Sequence, residues 1–292
     1  MMKKSYDYDI ILHWEVTNYC NFSCPGCCGS AKKIDRNYTS EIINIAGLKR
    51  FLALFQKPIK IIFSGGEPLL VENIIEVFEE TTKSNYITLM TNLTSPKVKE
   101  LSDRINPERV VLIKASAHID QLEKRKLLNT YFSNYKLLQD KGFEIYAQEI
   151  AYPVLAKKAE KYRKIFLDHG IEMKFQAYRG VWNTMFHKKK YPDSYTKQDY
   201  KIFNFTKTDC GATDIHYRKN TLCNAGYNVI VAHPNGNLCP CYGLYTQSIG
   251  NIYTGYTLNN SLIRCPLDYC DCPMPLYHPE IYERAVEETS GK

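Results

Sequence analysis

The stretch Cys20-Asn21-Phe22-Ser23-Cys24-Pro25-Gly26-Cys27 decides how this chain is read. Three thiols, spaced x3 then x2, occupy a short loop directly after an apolar, strand-like run from Tyr8 to Thr17. Three thiolates so close together suit a metal centre better than a packed core. A structural zinc site takes four protein ligands, whereas three cysteines on a [4Fe-4S] cluster leave one iron open to an outside ligand, where chemistry can occur. A zinc knuckle or a set of redox-sensing thiols is the competing reading of the same residues.

One strand downstream, Lys60-Ile61-Ile62-Phe63 runs into Ser64-Gly65-Gly66-Glu67-Pro68. Together the C-x3-C-x2-C spacing and the Gly-Gly-Glu-Pro turn resemble the radical S-adenosylmethionine (SAM) superfamily. That resemblance implies a [4Fe-4S] cluster on Cys20, Cys24 and Cys27 whose free iron chelates SAM and reduces it to methionine and a 5'-deoxyadenosyl radical. It also implies that Gly65, Gly66 and Glu67 hold the methionine moiety, the glycines permitting close backbone approach because they lack a Cβ. One position departs from the family. The residue before the third cysteine is usually bulky and touches the adenine, but here it is Gly26, so another residue must cover the base.

Length and composition leave room for one large α/β domain. The 292 residues, 44% hydrophobic, suffice for one sizeable core plus a small annex. There is no run of 18 apolar residues, and the N-terminal segment from Met1 to Asp7 lacks the apolar centre of a signal peptide. A cytoplasmic protein is therefore expected, and eleven clustered cysteines then favour metal binding over a disulfide framework. A net charge of +7 is compatible with an anionic substrate or an acidic electron donor such as flavodoxin or ferredoxin. No recognised nucleic-acid module is visible.

Apolar runs at 8–17, 59–63, 86–91, 109–117, 143–151 and 171–177 alternate with amphipathic stretches at 38–56, 72–83, from Ser95 onward, 120–141 and 155–169. Ser95 is expected to cap the third helix, with Pro96 in its first position. Six strands alternating with helices imply an all-parallel sheet with right-handed crossovers. The family resemblance makes this a partial (β/α)6 barrel over residues 1–180. Ligands of such folds gather at the C-terminal strand ends, which places Asn92, Ser116, His118 and Gln148 at the same mouth as the cysteine loop. Ser116 is the first candidate for the ribose or carboxylate of SAM, with Asn92 and Gln148 behind it. Ordinary strand-end hydrogen bonds are the alternative for each of these residues, and helix capping the alternative for His118. Residues 181–210 lack periodicity and read as a connecting segment, either a lid or a plain linker.

Residues 211–292 form a cysteine-rich annex. Cys223, Gly236 and Cys241 resemble the opening of the SPASM and Twitch extensions of radical SAM enzymes, which carry auxiliary [4Fe-4S] clusters, and His233-Pro234-Asn235-Gly236-Asn237 is a hairpin signal. The remaining run, Cys265-x4-Cys270-x-Cys272, is too short for the two-cluster pattern. A single second cluster on Cys223, Cys241 and two of Cys265, Cys270 and Cys272 is expected, with a zinc ribbon as the alternative. Cys28, Cys210 and Cys239 are left as spare thiols, any of which could instead donate a hydrogen atom or line the substrate pocket. The resemblance thus implies hydrogen abstraction from, and oxidation or rearrangement of, a bound substrate. The first strand starts within ten residues of Met1, which leaves no room for the peptide-recognition domain of many relatives. A biosynthetic small molecule is accordingly expected, with ribosomal peptide modification as the runner-up and a non-catalytic metal-binding module as a third reading.

Overall fold

The computed structural model describes residues 6–25, 27, 32–33, 41–183, 188–206, 219–268 and 279–290. Strands β1 (Ile10–Thr17), β4 (Ile59–Gly65), β5 (Tyr86–Thr91), β6 (Val110–Ser116), β7 (Ile145–Ala151) and β8 (Met173–Ala177) pair in that order, every pair parallel. Between β1 and β4 a two-residue parallel bridge joins β2 (Tyr19–Cys20) to β3 (Lys32–Lys33). The crossovers run through α1 (Ile45–Leu52), α2 (Ile74–Thr82), α3 (Lys97–Arg104), the pair α4 (Ile119–Arg125) and α5 (Leu128–Asp140), and α6 (Ala159–Leu167). Parallel strands must be linked by such crossovers, and the helices then cover one face of the sheet.

Side-chain alternation sorts the two faces. Leu12, Trp14 and Val16 of β1, with Ile61 and Phe63 of β4, join the main core with Ile74 and Phe78 of α2. The Trp14 and Phe63 rings lie 5.8 Å apart and Phe63 meets Phe78 at 4.8 Å. Each such side chain contributes about 2–3 kcal/mol by burial. The other face carries Ile11 and Ile62, which pack with Tyr8, Val229 and Ile281 in a separate apolar cluster. Ile281 belongs to α8 (Pro279–Ser290), tied to the start of β1 by Arg284, which donates to Asp9 and to the Tyr8 carbonyl.

Local helix boundaries depart from the periodicity in three places. Ile42, expected inside the first helix, is 67% exposed, because the helix starts after Asn44, whose side chain accepts from Gly47 N. The expected helix over 120–141 is two, broken at Lys126 in the left-handed region (φ 59°). At α3 Ser95 stands one residue outside the cap, though its hydroxyl still accepts from Lys97 N. The stretch read as a connector contains a hairpin, β9 (Gly180–Asn183) with β10 (Lys188–Tyr191), and helix α7 (Lys197–Phe203), started by a reciprocal Thr196–Asp199 capping box. Cis Tyr191-Pro192 joins them.

The chain then returns to the first strand. After β11 (Leu222–Cys223), β12 (Val229–Ala232) pairs with β1 in parallel, from Ile11 opposite Val229 to Trp14 opposite Ala232. β13 (Asn237–Cys239), β14 (Gly250–Asn251) and β15 (Gly255–Tyr256) add antiparallel strands beyond it, giving a ten-stranded sheet. The Asn-Gly hairpin closes as its sequence predicts: His233 N donates to Asn237 O and Gly236 N to His233 O. β16 (Ile263–Arg264) pairs with β11. Among the described residues no helix is long and apolar enough to cross a membrane.

Candidate cofactor site at the strand tips

The cysteine loop leaves the C-terminal end of β1 and is fastened by main-chain bonds to the turn that ends β4. Gly66 N donates to Thr17 O (2.7 Å) and Glu67 N to Tyr19 O (2.8 Å). A Cβ on Gly65 (φ +123°) would lie 2.3 Å from the Thr17 carbonyl oxygen, and one on Gly66 2.0 Å from that of Tyr19. The immediate reason for both glycines is therefore the approach of the β1 exit, an intrachain contact that the sequence alone did not reveal.

Glu67 is almost fully buried and its carboxylate is already engaged. One oxygen accepts from Leu69 N (3.0 Å) and Thr91 Oγ1 (2.8 Å), the other from Asn92 N (2.7 Å). The residue pins the glycine turn to the end of β5. Asn92 continues the link: its Nδ2 donates to Asn21 Oδ1 in the cysteine loop (2.8 Å) and its Oδ1 accepts from Thr94. Ser116 and Gln148 face each other across β6 and β7, and Gln148 Oε1 accepts from Tyr146. Gln121 on α4 clamps the loop by donating to Ser23 O and accepting from Ser23 N, and Arg125 lies over the Phe22 ring. The structure thus brings the tips of β1, β4, β5 and α4 onto one loop.

Cys20 and Cys24 are half-buried and Cys27 is exposed. Burial pushes the Cys20 thiol up to about 12 and raises Cys24 further, and the charges of the neighbouring thiols add to both. Three sulfurs within one another's field, beside Arg125, are a donor set that fits an iron–sulfur cubane. Among the described residues no group of three or more His, Cys, Asp or Glu is arranged to hold a single metal ion.

His118 stands on this rim in a left-handed conformation (φ 39°), its ring edge-on to Phe22 at 6.2 Å and its Nδ1 buried without a partner. Burial lowers its pKa to about 4. Such an orphaned nitrogen costs about 1–3 kcal/mol. His13 and Glu15 alternate along β1 with Leu12, Trp14 and Val16, which sets the polar pair on the face opposite the helices.

In the second cysteine group, Cys223 and Cys265 stand on the paired strands β11 and β16 and their extension. Cys265 N donates to Thr221 O and its carbonyl accepts from Asn220 N, so Cys265 sits opposite Thr221 and diagonal to Cys223 on one face. Cys241 is buried after β13, next to Cys239, whose Sγ donates to the Cys241 carbonyl. Cys270 and Cys272, like Gly26, Cys28 and Cys210, lie outside the described residues.

Two buried carboxyls permit a test by pH. Burial pushes Glu67 and Glu149 up to about 7 from an ordinary 4.5, against the pull of the N–H groups they accept from. The unfolded chain therefore releases these protons first, and stability falls as pH rises from about 4.5 to 7, then levels. The urea midpoint should decline across that window. Glu149→Gln, which imitates the protonated group, should flatten the decline by roughly half.

No protein-family model matches the chain. An uncharacterized protein of Methanocaldococcus jannaschii is 30% identical over 129 residues, 40% of this chain and 41% of that one, so the match spans about two fifths of the relative's length. Among solved structures, anSMEcpe with bound AdoMet and Cp18Cys peptide superposes with TM-score 0.55 at 19% identity, over 85% of this chain and 78% of that one. Streptococcus suis SuiB bound to S-adenosylmethionine gives TM-score 0.55 at 17% identity, over 85% and 64%. SuiB bound to precursor peptide SuiA gives 0.53 at 16%, over 85% and 63%. These likenesses establish the fold: a mixed α/β chain built on a large, mostly parallel sheet, shared with structures that carry S-adenosylmethionine.

Proposed function

We propose that the chain is a radical SAM enzyme, its sheet curled as a partial (β/α)6 barrel over residues 1–180 and its C-terminal residues 211–292 forming a Twitch-like annex with a second cluster. The observation that carries this reading is the cysteine loop, with its three mutually interacting thiols, held on the Gly65-Gly66-Glu67 turn at the C-terminal end of a parallel sheet. Cys20, Cys24 and Cys27 would hold a [4Fe-4S] cluster. When bound, the cluster and SAM supply the electron and the radical that abstracts hydrogen from a substrate.

The residues of the chain would position these groups. Main-chain bonds to Thr17 and Tyr19 fix the loop against the glycine turn, and Glu67 and Asn92 lock that turn to β5 and to Asn21. Gly65, Gly66 and Glu67 would border the methionine end, and Ser116, Asn92 and Gln148 the ribose or carboxylate. Cys223, Cys241 and two of Cys265, Cys270 and Cys272 are the proposed second ligand set, with zinc as the alternative metal. A flavodoxin or ferredoxin would deliver the electron.

A biosynthetic small molecule is the first substrate class. A peptide is the second reading, favoured by the peptides in the anSMEcpe and SuiB structures. The anaerobically reconstituted protein, given SAM and a low-potential reductant, should release 5'-deoxyadenosine and methionine. With the true substrate in deuterated form, deuterium should enter the 5'-deoxyadenosine. Iron-loaded protein that never cleaves SAM would overturn the reading.

A further inference from the structure

The outer edge of the cysteine loop reaches solvent. Ser23, Pro25 and Cys27 are exposed, while Phe22 is buried among them. From Val16 to Ala31 the chain carries no charged side chain, so the loop presents a neutral rim in a protein of net charge +7. Basic residues stand on both sides of it. Lys32 and Lys33 of β3 pair in parallel with Tyr19 and Cys20 of β2, which sets two of them in register beside the first thiol. On the other side, α4 ends in Lys124 and Arg125, with Lys126 as its C-terminal cap.

Direct contacts hold this end of α4 against the loop. Arg125 Cζ lies 5.6 Å from the centre of the Phe22 ring. One turn earlier, Gln121 donates to Ser23 O (3.0 Å) and accepts from Ser23 N (3.3 Å). Lys124, Arg125 and Lys126 are all exposed and make no ion pair among the described residues. The acids nearest in sequence are already matched, Asp120 by Lys158 (2.9 Å) and Glu123 by Lys161 (3.5 Å). Three uncompensated positive charges on one exposed turn, at the edge of a neutral loop, attract an acidic surface and steer its approach.

We propose that the Lys124-Arg125-Lys126 turn and the exposed rim of Ser23, Pro25 and Cys27 form the docking surface for a small acidic electron-carrier protein. The proposal rests on the radical SAM reading and deepens it by placing the carrier. One electron leaves the carrier, which is oxidised, and enters the metal held by the loop, which is reduced; no bond forms or breaks. Electron transfer weakens steeply with distance, so the carrier has to meet the chain where the thiols come nearest to solvent, and the unpaired cations stand at that place. A small patch suffices, because brief redox encounters bury less than about 1,200 Å² in all.

The test is calorimetric binding of an acidic flavodoxin to the full, anaerobically reconstituted chain. The flavodoxin is kept oxidised so that no electron moves during the measurement. Wild type is compared with the pair Lys124→Gln and Lys126→Asn, asparagine being tolerated at the left-handed backbone of position 126 (φ 59°). Arg125 stays, since it packs on Phe22. The control is Lys99→Gln with Lys201→Gln, which removes two exposed charges from α3 and α7. The α4 pair should weaken binding about tenfold and flatten its salt dependence, and the control pair should change it less than about twofold. Absence of binding to wild type, or equal weakening by both pairs, which would mean attraction to net charge alone, would overturn the surface. SAM cleavage driven by dithionite, which needs no docking, judges the radical reading separately: cleavage with flavodoxin affinity untouched by the α4 pair sinks only the surface, and affinity lost in that pair without any cleavage sinks only the enzyme.

Discussion

Replacing Cys20, Cys24 and Cys27 together by alanine is expected to remove about four irons per chain and abolish 5'-deoxyadenosine formation, a loss of at least about a thousandfold, or ~4 kcal/mol in the barrier. The physical reason lies in the loop. Without metal, burial holds the Cys20 thiol near 12 and Cys24 above its usual value, so these sulfurs become thiolates when a metal displaces their protons. Anaerobic iron and sulfide counting separates the possibilities for the annex. About eight irons falling to about four means two cubanes, and about four falling to none means that the second cysteine group holds zinc or nothing. Wild-type protein with no iron, or a triple variant that keeps all of it, would refute the assignment of the loop.

Gly66→Ala should damage the same site without touching a ligand. Its Cβ would fall 2.0 Å from the Tyr19 carbonyl oxygen, a backbone atom that cannot swing aside. To relieve the overlap, the β4 turn must part from the β1 exit, breaking the bonds from Gly66 N and Glu67 N. A destabilisation of about 3 kcal/mol or more is expected, with slower cluster assembly. Gly142→Ala is the control. That residue also has a positive φ (+85°), but nothing lies within 4 Å of the added carbon, so the cost should be about 1 kcal/mol and cluster content unchanged. Thermal melts and iron content of the two variants decide the matter, and equal effects would show that close approach is not what position 66 requires.

The Gly65-Gly66 turn shows where sequence reading stops. Its motif was legible, and the expected reason for the glycines was room for a cofactor. The contact found is with Thr17 and Tyr19, nearly fifty positions earlier, which no local pattern encodes. Glu67 is similar: a charged residue after a glycine turn invites a ligand role, whereas its oxygens are occupied by Leu69, Thr91 and Asn92. Lys126 stops a helix that periodicity would continue, because the pattern of apolar residues reports which side is buried and not where the backbone turns left-handed.

Sequence by itself determined the alternation of six strands with helices, their parallel pairing and the cluster-like cysteine loop, since burial imposes periods of two and 3.6 on neighbouring residues and thiol spacing is local. Tertiary structure alone decided that Val229 to Ala232 return to lie beside β1 and that the glycine turn is fastened to the β1 exit. These are pairings between residues about fifty to more than two hundred positions apart. They depend on how strands close in space, and hydrophobic periodicity carries no record of which distant strand supplies the partner.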